Sequence, residues 1–118
     1  MPTIINNITE LKSLLNKDND LIIDDDVIIK FDIESGIVRN INCRNIDCMN
    51  IDCENINCLN IRCGNITCVD IKCKKLSYHA FCFAYNSIEC ESWIARRENA
   101  PPPFCVDGKL TITKEKKL

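Results

Sequence analysis

Ile41-Asn42-Cys43-Arg44-Asn45 opens the stretch that decides the fold. It is followed by Ile46-Asp47-Cys48-Met49-Asn50, Ile51-Asp52-Cys53-Glu54-Asn55, Ile56-Asn57-Cys58-Leu59-Asn60 and Ile61-Arg62-Cys63-Gly64-Asn65. Ile66-Thr67-Cys68-Val69-Asp70 and Ile71-Lys72-Cys73-Lys74-Lys75 complete seven gapless five-residue units. An internal repeat of this strictness outranks any short motif. Within each unit Ile and Cys stand two residues apart, and on extended backbone residues i and i+2 face the same side. Both therefore point inward. The position between them holds Asn42, Asp47, Asp52, Asn57, Arg62, Thr67 and Lys72, all polar. Each of the first six units closes on Asn or Asp, which tolerate turn conformations. Every unit thus predicts a short extended face followed by a corner.

The period continues outward in weaker form. Upstream, Leu21/Ile23, Ile28, Phe31/Ile33 and Gly36/Val38 keep the phase, and Asp26 interrupts it at an inward position. Downstream, Leu76/Tyr78 and Phe81/Phe83 keep it with larger side chains, and Ile88 and Trp93 extend it. The solenoid is expected over residues 21–93 of a single domain. Before it, Asn7 and Glu10 form a capping-box signature, and Ile8, Leu11, Leu14 and Leu15 fall on one helical face. Residues 1–20 are read as a helical cap, needed because a short helix is marginal alone. After it, Pro101-Pro102-Pro103 cannot continue a ladder. Phe104-Cys105-Val106, Asp107-Gly108 and Lys109–Thr113 read as a β-hairpin with an Asp-Gly turn. Residues 94–118 are expected to be a proline loop plus this hairpin, with Lys114–Leu118 frayed.

The order inward, Asn/Asp, inward, variable, turn residue resembles the pentapeptide-repeat family, most specifically over residues 41–75. The resemblance implies an all-β solenoid, a right-handed parallel quadrilateral β-helix with four units per coil. Residues twenty apart would then stack, Cys43 under Cys63, Cys48 under Cys68 and Cys53 under Cys73. One departure is visible. The family places a small residue first and a large one at the centre, whereas here Ile comes first and Cys is central. The tail, Ala95–Ala100 with Asp107–Leu110, resembles that of uncharacterised small phage and prophage proteins.

Composition narrows the function classes. The 118-residue chain carries a formal net charge of −2, whereas nucleic-acid binders are usually basic. The opening residues show neither a basic region nor a long apolar one, so the reading is a cytoplasmic protein of a bacterial host cell, without a membrane partner. The ten cysteines are then expected to be reduced. Seven lie in phase with isoleucine and read as small core residues. Their repeated spacing of five does not match a zinc pattern, and in-register stacking aims their Cβ vectors alike, which suits a disulfide poorly. Cys82, Cys90 and Cys105 fall outside the strict run. Cys82, between inward Phe81 and Phe83, is expected to face out near His79 as a plain surface thiol.

No catalytic, metal-binding or cofactor-binding residue is assigned. Candidate interaction residues are Asp24, Asp25 and Asp26, in an N-terminal segment (1–36) with eight acidic and three basic side chains, and Trp93, Arg96 and Arg97 near the other end. The functional expectation is a non-catalytic protein–protein interaction module, a phage or prophage accessory protein inhibiting a host system. A homodimer through a β-helix end, whose unpaired edges invite pairing, is the second expectation for partners. A purely structural role is the alternative. Topoisomerase inhibition by DNA mimicry is disfavoured, because three to four coils span only ~15–20 Å and the repeat is not acidic.

Overall fold

The computed structural model describes residues 2–113 and shows an all-β solenoid of parallel strands with one short helix. β1 (Thr3–Ile5) and α1 (Ile8–Leu14) come first, followed by β2 (Leu21–Ile22) and β3 (Val27–Ile29). The repeat supplies β4 (Asn40–Asn42), β5 (Asn45–Asp47), β6 (Asn50–Asp52), β7 (Asn55–Asn57), β8 (Asn60–Arg62) and β9 (Asn65–Lys72). β10 (Lys75–Tyr78), β11 (Phe81–Cys90), β12 (Ser92–Ala95), β13 (Phe104–Cys105) and β14 (Lys109–Ile112) complete it.

Strand pairing corrects the expected coil. Ile41 pairs with Ile56, Ile46 with Ile61, Ile51 with Ile66 and Ile56 with Ile71. The stack therefore repeats after fifteen residues, three units per coil rather than four. One face is the six-stranded order β1-β3-β5-β8-β10-β12. The second stacks the Ile33 bridge, β6 and the first halves of β9 and β11, then β13. The third stacks β2, β4, β7, the second halves of β9 and β11, then β14. The five-residue period sets the length of a face, and the pairing register sets the number of faces.

The ladder residues form the core: each isoleucine from Ile41 to Ile71 is at most 2% exposed, and each cysteine from Cys43 to Cys73 at most 9%. The asparagines have another role than turning. Among the described residues only Asn19 and Asn99 combine a non-glycine side chain with positive φ. The repeat asparagines open each strand, and their amides bond from coil to coil. Asn55 Nδ2 donates to Asn40 Oδ1 at 2.6 Å, Asn60 to Asn45 at 2.7 Å and Asn65 to Asn50 at 3.0 Å. Three aspartates receive the lower ends, Asp20 from Asn40, Asp26 from Asn45 and Asp32 from Asn50. Asp26 thus occupies the asparagine position, and the inward residues beside it are Val27 and Ile29, not Ile28. Asn55 lies between the Asn40 oxygen and an Asp70 carboxylate oxygen, so its nitrogen can serve only one: 2.6 Å to Asn40, or 3.1 Å to Asp70 with the amide turned over.

Coils outside the strict run are longer. Leu21 pairs with Ile41 twenty residues on, and Thr3 with Val27 twenty-four on. Above, Phe81 pairs with Asn65 and Ile88 with Ile71, offsets of sixteen and seventeen. The extra residue at His79-Ala80 reverses the expected phase: Cys82 is 1% exposed, Ala84 is buried and Phe81 is 43% exposed. Upstream, Gly36 is an exposed left-handed turn residue rather than a core position. The expected hairpin is also corrected. β13 and β14 each pair in parallel with β11, and Asp107-Gly108 is the corner between two faces of the last coil, with Gly108 at φ 73°.

Both ends are covered. Asn7 Oδ1 accepts from Glu10 N at 2.9 Å, so the expected N-cap forms, and Leu11 of α1 is fully buried. Leu14, expected on the same face, is 43% exposed. β1, for which the cap segment carries no strand signal, adds the first rung beside β3. At the other end Tyr78 stacks on Trp93 with ring centres 6.3 Å apart, and its hydroxyl donates to Pro101 O. Lys114–Leu118 lie outside the described residues.

Candidate functional site

The extra residue in the coil above Asn65 decides what the outer surface carries. In Phe81-Cys82-Phe83-Ala84-Tyr85 the small residues turn inward and the aromatic ones outward. Phe104, on β13, sits one coil above Phe83. Phe81 is 43% exposed, Tyr85 56% and Phe104 58%, with Phe83 half-buried between them. Phe83 meets Tyr85 edge-on with ring centres 5.2 Å apart and Phe104 at 5.6 Å. Phe83, Tyr85 and Phe104 thus form one open cluster, with Phe81 exposed two residues before Phe83 on the same strand. Beside it a groove of about 390 Å³ is lined by Tyr85, Thr67, Asp52, Glu54 and Arg39. The F-C-F-A-Y alternation is readable in the sequence, but its phase is not, because nothing there marks His79-Ala80 as an insertion.

The predicted interaction residues do not converge. Asp24 is exposed; Asp25 accepts from the Asp26 N–H, and Asp26 caps an asparagine ladder. They flank β3, whereas Trp93 and Arg96 belong to or follow β12, four strand spacings or ~19 Å away on the same face. Trp93 is packing against Tyr78. Arg96 donates to Ser77 Oγ and to Cys63 O; partial burial, with Arg62 nearby, pulls its guanidinium below the usual value. Lys30, Arg62, His79 and Arg96 border an open groove of about 580 Å³ with Asp47 as the acidic residue lining it. Arg62 and Asp47 pair at 3.7 Å with both side chains more than half exposed, a contact worth little in water. Arg97 is exposed.

The three cysteines outside the strict run are all buried. By the register of Lys72 with Glu89, Cys90 lies above Cys73 and continues the column Cys43–Cys58–Cys73. Cys105 lies above Ala84, which lies above Cys68. Cys82 faces the core while His79 faces solvent, so the two do not form a pair. Burial pushes the Cys48 thiol up to about 12 and the Cys90 thiol up to about 11. Among the described residues no group of three or more His, Cys, Asp or Glu side chains is placed to hold a metal ion.

Comparison of the chain with family models, with curated proteins and with solved structures returned no match.

Proposed function

We propose that this chain is a non-catalytic protein–protein interaction module of pentapeptide-repeat type, serving as a phage or prophage accessory protein directed at a host protein. The observation that carries the interaction reading is the open cluster of Phe83, Tyr85 and Phe104, with Phe81 exposed two residues before Phe83. Clustered, solvent-facing aromatic rings on a rigid support match the side chains that anchor protein interfaces. The phage origin rests on the tail resemblance alone. DNA mimicry finds no support in the outward columns, which run Asp47–Arg62–Ser77 and Asn42–Asn57–Lys72–Glu89 and so carry no continuous acidic stripe.

The test compares the wild-type chain with the double variant Phe83→Ala, Phe104→Ala, immobilised at equal density against bacterial lysate. The reading expects a defined partner retained by the wild type and lost by the double variant. A second copy of the chain is the competing occupant; sedimentation at tens of micromolar would show a dimer that the two substitutions abolish. If the wild type stays monomeric and both proteins retain the same lysate components, the interaction reading fails and the structural role is left.

A further inference from the structure

The fifteen-residue coil places Cys58, not Cys63, above Cys43, and their sulfurs stand 3.3 Å apart. The columns are not equivalent. Cys43, Cys48 and Cys53 each set the thiol against the carbonyl two residues on, at 3.7, 3.8 and 3.8 Å, and Cys48 also meets Phe31 O at 3.5 Å. Cys53 and Cys68 stand at 3.7 Å. Cys58 also lines an open groove of about 390 Å³ with Cys73, Cys90, Lys72, Lys74, Glu89 and Glu91, by which a small neutral peroxide can reach it. We propose that Cys43 and Cys58 are a reversible oxidation site, closing a disulfide between adjacent coils when the chain meets a hydroperoxide.

Distance and access agree on the roles. Either thiol of the Cys43–Cys58 pair can donate to the other across 3.3 Å. Cys58, the one of the two that lines the groove, is the nucleophile. Its thiolate attacks one peroxide oxygen, an S–O bond forms, the O–O bond breaks, and hydroxide leaves to become water. The resulting sulfenic acid is attacked by the Cys43 sulfur. An S–S bond forms, the S–O bond breaks, and the departing hydroxide takes the Cys43 proton as a second water. Two thiols lose two electrons and the peroxide gains them. Coil spacing of ~4.8 Å lies within the Cα range of disulfides, and the Cβ atoms need to close by about 1 Å. Each cysteine directly follows its strand, after Asn42 and Asn57, and the Cys58 N–H still donates to Lys72 O of the next coil at 3.1 Å.

The folded full-length chain is treated with hydrogen peroxide at neutral pH, then unfolded, alkylated and mapped by mass spectrometry. The expected result is a loss of two hydrogens, eight of the ten thiols left to alkylate, a cross-link joining the Cys43 and Cys58 peptides, and recovery with a thiol reductant. Cys43→Ser should halt the sequence at the Cys58 sulfenic acid, whereas Cys48→Ser should leave the bridge intact. The wild-type map decides the matter even if a substituted chain fails to fold. A first cross-link at Cys53–Cys68 or Cys58–Cys73, or oxidation that yields no cross-link, overturns the assignment.

Discussion

Gly64 shows how closely adjacent coils approach at a corner. A Cβ added there would lie 2.6 Å from Met49 O, a backbone atom. Gly64→Ala is expected to lower stability by about 1–3 kcal/mol, seen as an earlier urea midpoint with unchanged slope. Met49 and Leu59 tolerate their corners because their side chains project to solvent, being 55% and 44% exposed. Ile56 sits between Ile41 and Ile71 and is 1% exposed. Ile56→Ala should therefore cost about 2–5 kcal/mol, by the same measurement. Asp26→Ala removes the acceptor of the Asn45 amide and is expected to cost about 1–2 kcal/mol, whereas Asp24→Ala, at an exposed carboxylate, should leave the midpoint in place. At this scale much is legible in the sequence: inward isoleucine and cysteine follow from spacing alone. The asparagine column is not, because a side-chain bond between coils depends on which residue lies above which. The pairs Asp20-Leu21, Asp26-Val27 and Asp32-Ile33 do repeat the Asn-Ile order, a signal that can be read once the column is known.

Elements are legible where local chemistry fixes them. Asn7 caps α1 as its sequence implies, and Glu10 Oε1 reaches back to the Asn6 N–H at 2.9 Å. Asn7→Ala is expected to cost about 1 kcal/mol. Leu11→Ala should cost about 2–5 kcal/mol, because Leu11 is the fully buried contact of the cap; both are read by thermal melting. Sequence misleads where pairing is non-local. Asp107-Gly108 carries a hairpin signature, yet β11 offers a parallel edge that takes up β13 and β14 in turn. The turn residues supply a bend in either case; the partner strand decides its use. β11 likewise runs out of phase with the expected alternation, since a single inserted residue exchanges inside for outside along a strand.

For the molecule as a whole, the solenoid is legible and its face count is not. A five-residue period is common to three and four faces, and the register of the strands distinguishes them. Duplicating residues 45–59 in tandem adds one coil of the observed length and is expected to preserve a cooperative melt. Duplicating residues 45–64 displaces everything downstream by one face and should lower the melting temperature. A four-faced stack would reverse that order. Stability should also depend on pH through the buried thiols. Cys48 and Cys90 have folded values of about 12 and about 11 against 9.0 for a free thiol. The unfolded chain loses these protons first, so stability is full below pH 9 and falls as pH rises toward each folded value, by about 1.4 kcal/mol per pH unit per group. The urea midpoint should fall between about pH 9 and pH 10.5, and Cys90→Ala should lessen the slope.

The unequal lengths of the outer coils bear on how such a chain finds its winding. The middle coils are near copies, so a segment wound one coil out of step would meet almost the same neighbours. Offsets of twenty-four and twenty residues below and sixteen and seventeen above do not match the fifteen of the centre. They act as a vernier: the end coils fit the repeat at one setting, and any slipped winding leaves them unmated.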